Sequence, residues 1–100
     1  MKTANPARGE AAILVAGETL VLRPSFEALV AAEEELGPLF ALVERAAGGG
    51  LRVAEIAALF WHCSGRRAAR ERIGEAIVER GLARTTPVLK VLLTQILQGR

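Results

Sequence analysis

The chain contains no aspartate and no tyrosine, and only one histidine, one cysteine and one tryptophan. Without Asp there is no Ser-His-Asp triad, no aspartyl nucleophile and no EF-hand loop. With Cys63 alone, no disulfide can close within the chain, which fits a reducing compartment. A lone His62 beside a lone Cys63 cannot complete a metal site, because neighbouring helical residues point ~100° apart and no second His or Cys exists. Aromatics are also scarce: Phe26, Phe40, Phe60 and Trp61 make up the whole 4%. No apolar run approaches the ~20 residues that a membrane-spanning helix needs. Met1 to Arg8 has no apolar stretch of the signal-peptide kind, so a soluble protein with no membrane partner is expected.

What is present is small aliphatic bulk. Half of the chain, 51%, is hydrophobic, chiefly Ala, Leu and Val. One hundred residues suit a single domain, 1–100. A chain of this length buries somewhat over ~60% of its unfolded surface, enough to fold without much margin. The net charge is +2, unevenly placed. Residues 1–50 carry a net −3 and residues 51–100 a net +5. Such a split steers an anionic partner or makes neighbouring copies attract; the plainer account is solvated helix faces.

Residues 1–8 read as a loose arm, 9–23 as a β-hairpin and 25–98 as a helical part. Strands over Glu10–Ala16 and Thr19–Arg23 flank Gly17-Glu18, which suits a type II′ turn. Leu20 and Leu22 share one face, and Ala11 to Ala16 is apolar on both sides, so the hairpin must be covered. Ser25 is a good N-cap for a helix over Phe26–Leu36, which Gly37 and Pro38 stop. Its apolar stripe is Phe26, Leu29, Val30 and Leu36. Glu33 falls within that stripe. It either pairs with a cation, Arg23 or Arg8, or lies at the stripe's edge and reaches water.

Pro38 to Ala47 reads as a second helix, ended by a flexible joint at Gly48-Gly49-Gly50. Those glycines lack the preceding strand and the Gly-Lys-Ser/Thr ending of a phosphate loop. Val53 to Ser64 is apolar almost all round, so it should be the central helix. Glu55 and His62, seven residues apart, form its one narrow polar strip, expected to face water. A basic fourth helix runs from about Ala68 to Arg80, with Ala69, Ile73, Ala76 and Ile77 as its buried stripe. Thr86-Pro87 reads as the cap and first position of a last helix, Pro87–Leu97. The expected fold is therefore α+β, mainly α: an N-terminal β-hairpin packed on about five short helices around a central apolar one.

No catalytic residues, cofactor or metal are expected. Cys63 reads as core and His62 as a surface or boundary residue. Ser25, Ser64, Thr85 and Thr86 lie at expected helix ends, where capping accounts for them. Glu33, Glu34 and Glu35 are consecutive on a helix and so radiate apart instead of forming an acid/base pair. Arg66, Arg67, Arg70 and Arg72 make the strongest electrostatic patch, which keeps nucleic acid open as a partner. Interleaved Glu71, Glu75 and Glu79, and the lack of stacking aromatics, weigh against it. The last helix is apolar over about half its circumference. Either it inserts between two layers, or Leu89, Leu93, Ile96 and Leu97 bind another chain.

One family pattern matches this order of features. It runs through Asn5-Pro6, Arg8-Gly9-Glu10, an apolar strand, Gly17 and Leu20-Val21-Leu22-Arg23, then Phe26, Leu29, Glu33 and Leu36-Gly37. It continues through Leu51 to Trp61 and Gly81-Leu82. In this the chain resembles the gene transfer agent proteins grouped with the tail assembly chaperones of tailed phages, some of which are described as tail tube components. The Arg-rich link from Ser64 to Arg72 departs from that pattern. The resemblance implies a non-enzymatic protein of a prophage-derived bacterial cluster, acting in the cytoplasm or with the phage-like particle. Its implied partners are the tape measure protein and the tail tube protein, with a homo-oligomer left open. The mode would be a groove that accepts a partner's amphipathic helix. The alternative is a small basic nucleic-acid-binding or regulatory helical module.

Overall fold

The computed structural model describes residues 4–5 and 10–99. Strands β1 (Ala11–Val15) and β2 (Glu18–Leu22) form an antiparallel pair, with Ala11 opposite Leu22, Ile13 opposite Leu20 and Val15 opposite Glu18. The turn is Ala16-Gly17, one residue earlier than the sequence suggests. Both residues are left-handed, at φ 51° and 82°, so the turn is type I′, not II′. The twist of a I′ turn matches that of the strands it joins. Gly17 supplies its second left-handed position without strain, whereas Ala16 holds the first at a cost of about 1 kcal/mol.

Five helices follow: α1 (Phe26–Leu36), α2 (Leu39–Ala47), α3 (Val53–Cys63), α4 (Arg70–Arg80) and α5 (Leu82–Gln98). The fold is thus α+β and mainly α, a hairpin on a helical bundle. One face of the hairpin, Ala11, Ile13, Val15, Leu20 and Leu22, is buried, with β1 against α4 and α5 and β2 against α3. The Arg23 amide donates to the Cys63 carbonyl at 2.8 Å, tying the end of β2 to the end of α3.

As the periodicity implies, α3 is the core helix. Ile56 to Phe60, His62 and Cys63 are all buried. The expected polar strip is not where water lies, however. His62 is 6% exposed, and the open side of α3 is its first turn, Val53 and Ala54. Glu55 turns back to accept from the Arg52 amide at 3.0 Å and pairs with Arg45 at 2.7 Å. From α4, Ile73 and Ile77 complete the core, together with Leu42 of α2 and Leu92 of α5.

α1 also departs from its expected stripe. Leu29 and Leu36 of that stripe do pack partly against the core, but the buried residues are Ala28 and Ala32, and Phe26 and Val30 stand outside. Short alanine side chains let α1 approach α3 closely, which a Phe at the contact would prevent. Its cap is as expected: the Ala28 amide donates to Ser25 Oγ at 3.2 Å.

The largest difference lies in α5. It begins at Leu82, directly after Gly81 (φ 92°) ends α4, so Pro87 sits inside the helix instead of opening it. Thr85 and Thr86 are therefore not caps. Their hydroxyls donate back to the carbonyls of Gly81 and Leu82, at 2.9 and 2.8 Å. Proline at this place costs the Ala83 carbonyl its helical partner, but Ala83 is exposed and water can serve it.

Candidate functional site

Three consecutive glutamates on α1 show how the surface is organised, and they do radiate. Glu33 Oε2 accepts from the Leu39 amide at 3.1 Å, closing the start of α2. The pairing of Glu33 with Arg23 does not form; Arg23 Nε instead binds Glu10 Oε2 at 2.8 Å. Arg8, the other cation considered, lies outside the described residues. Glu34 faces a groove. Glu35 points the other way and joins α1 to α3 and α4.

At Glu35 the carboxylate receives His62 Nε2 at 2.8 Å and Arg70 Nη2 at 2.9 Å, with Arg70 Nη1 on its second oxygen. Arg70, then His62, holds the Glu35 carboxyl below its usual range. A carboxylate can only accept, so His62 Nε2 carries the proton in this bond. Nδ1 of the ring is buried without a partner. The Arg70 guanidinium also lies 4.3 Å from the Trp61 ring centre, with Arg66 5.0 Å from the same ring. Trp61 meets His62 edge-on at 4.9 Å. This cluster clamps three helices. Every charge in it is engaged, so it has no group free for acid/base work.

Cys63 is 3% exposed, and burial pushes its thiol up to about 12. It is a core residue and no nucleophile at neutral pH. Among the described residues no group of three or more His, Cys, Asp or Glu side chains could hold a metal. None of the helices among them is long and apolar enough to cross a membrane.

Next to the clamp lies a groove of about 490 Å³. Its floor includes Val21, Ala28 and Cys63, all buried. One wall is α1, with Glu27, Val30 and Glu34; the other is the link after α3, with Arg66 and Arg67. Outside the groove stand the exposed large apolar side chains, Phe26 at 85% and Phe40 at 76% among them.

The sequence-derived contact face on α5 is mostly engaged. Leu89 and Leu93 pack partly against the core and Ile96 is half-buried, while Leu97 is 52% exposed. Sequence reasoning missed the Glu35–His62–Arg70 clamp and the exposed phenylalanines. A helical wheel of α1 placing Ala28 and Ala32 opposite Phe26 and Val30 held the signal for the exposure of Phe26, but none for the clamp.

The architecture defines a small hairpin-and-helix protein in which Glu10, Glu35 and Glu55 tie elements together and whose open faces are apolar or charged. Residues 8–99 match the model of the family described as phage tail tube protein, GTA-gp10, and the chain belongs to that family. No curated protein and no solved structure matches it. The family resemblance read from the sequence thus holds at the level of phage and gene transfer agent tails.

Proposed function

We propose that this chain acts by binding, as a tail assembly chaperone that holds the tape measure protein or the tail tube protein while a phage-like particle is built. It works in the bacterial cytoplasm, before or as the particle forms, and catalyses no reaction. One observation carries the reading: of the chain's three phenylalanines only Phe60 is buried, while Phe26 and Phe40 stand almost wholly in solvent. A chain this poor in aromatics needs them for its core, and Phe is enriched where proteins meet. Family membership supports a tail role. The end of α5, with Leu89, Leu93, Ile96 and Leu97, is a second contact, most open at Leu97.

The rival, a basic nucleic-acid-binding module, draws on Arg66, Arg67, Arg70 and Arg72, but Glu71, Glu75 and Glu79 are interleaved with them and Arg70 is held by Glu35. Co-expression of the tagged chain with the tape measure and tail tube proteins tests the proposal. The expected result is co-purification of at least one, persisting at high salt because apolar contact dominates. Failure of both, with duplex DNA binding that falls steeply with salt, would replace the proposal by the rival.

A further inference from the structure

We infer that the groove between α1 and the link after α3 is a docking site for one amphipathic helix of another protein. That helix is basic on one flank and acidic on the other. The inference rests on the proposed binding role and adds the place and the chemistry of the contact.

The walls carry opposite charge. Glu27 and Glu34 line the α1 side, and Arg66 and Arg67 line the other. None of the four has an ion-pair partner among the described residues, whereas Glu10, Glu35 and Glu55 all have one. All four are exposed. Between them the floor joins apolar Val21, Ala28 and Cys63 with buried His62 and Ser64, so a docked segment would bury apolar atoms there and meet a charge on each side. Charges without an ion-pair partner on the facing walls of an open groove, Arg66 among them although it also lies over the Trp61 ring, are the complement of a charged guest.

The spacing selects a helix. Glu27 and Glu34 lie seven residues apart on one side of α1. That is two turns, or about 10.5 Å along the axis. A helix lying alongside presents its residues i and i+7 at the same repeat. An extended strand presents same-face residues every ~6.6 Å, and its multiples miss that distance. The guest should therefore carry Lys or Arg at i and i+7 on the flank facing α1, and Glu or Asp on the flank facing Arg66 and Arg67. This chain does not supply such a helix itself. The basic residues of α4 are Arg70, Arg72 and Arg80, those of α5 are Arg84 and Lys90, and no two are seven apart. The occupant is a different protein, not a second copy.

Trp61, the only tryptophan, reports on the site because Arg66 lies both over its ring and in the groove wall. The test titrates the chain with two designed helical peptides that share one apolar stripe. One carries lysines at i and i+7 with glutamates on the opposite flank; the other has those charged residues replaced by glutamine. The first peptide should bind about tenfold more tightly, the product of two rim ion pairs of ordinary strength, and its advantage should shrink with salt. The Glu27→Lys, Glu34→Lys double variant, which makes both walls positive, should abolish the advantage. The milder Glu27→Gln, Glu34→Gln pair, which leaves only Arg66 and Arg67 to select the guest, should reduce it to about threefold, which guards against a folding defect in the first variant.

Equal binding of the two peptides by the wild-type chain, or an advantage undiminished in both double variants, would overturn the inference. The same variants, co-expressed with the tape measure and tail tube proteins, separate the two levels. An unaltered pull-down from the double variants rejects the groove but leaves the chaperone reading standing. No pull-down even from the wild-type chain rejects the chaperone reading itself.

Discussion

α1 and α3 are both eleven residues long, yet they do opposite things. α3 buries seven of its residues, Phe60 among them, while α1 buries two alanines and leaves Phe26 outside. The helix that stabilises the fold is apolar on nearly every side. The other buries only alanines, with Leu29 and Leu36 partly packed on the core, and keeps its largest side chain and Glu27 and Glu34 on open sides. On the proposed binding role, stability and binding are divided between neighbouring helices, joined by the clamp that Glu35 makes to His62 and Arg70.

Four substitutions break or sharpen that contrast. The most damaging is Phe60→Ala, which leaves a cavity in a completely buried site and should cost about 3–5 kcal/mol by denaturant unfolding. Next is the clamp. Glu35→Ala leaves the buried His62 ring without its one partner and should cost about 1–3 kcal/mol. The same clamp gives a pH dependence. The Glu35 pKa is lowered by folding, so its contribution is complete above its ordinary value of 4.5 and is lost as pH falls below that toward the folded value. The acid limb of a stability–pH curve should therefore flatten in Glu35→Ala.

Gly74→Ala runs the other way. A Cβ there would sit 3.9 Å from the Ala57 Cβ, an ordinary contact, so α4 should gain about 1 kcal/mol of helix propensity. A rise in melting temperature of about 4–8 °C would show it. Smallest is Phe26→Ala, which should move stability by under ~0.5 kcal/mol while weakening capture of the tail partner. A loss as large as that at Phe60 would erase the distinction between the two helices.

How much of this the sequence reveals differs between the same two helices. α3 was legible because an apolar wheel leaves only one place for it, the centre. The caps at Ser25, Gly37 and Gly81 were equally plain, since each follows from local backbone chemistry. α1 was misread because hydrophobicity ranks Phe above Ala, whereas close helix packing here favours the smaller side chain. α5 was misread for a related reason. Thr86-Pro87 has the local form of a helix start, yet Gly81 upstream had already reset the chain and the helix ran through the proline. The hairpin turn slipped by one residue because Ala16 accepts a left-handed conformation that alanine disfavours. The clamp was out of reach, because it joins residues 27 and 35 positions apart whose meeting depends on how three helices cross.

The central claim, that the outer side of α1 exists to be covered by another protein, is open to one direct measurement. Hydrogen–deuterium exchange of the chain, alone and in complex with the tail protein it captures, reads each helix separately. The account predicts slowed exchange over Phe26–Glu34 and Ser64–Arg67 in the complex, with α3 little changed. Slowed exchange elsewhere, with α1 and the link as open as in the free chain, would contradict it.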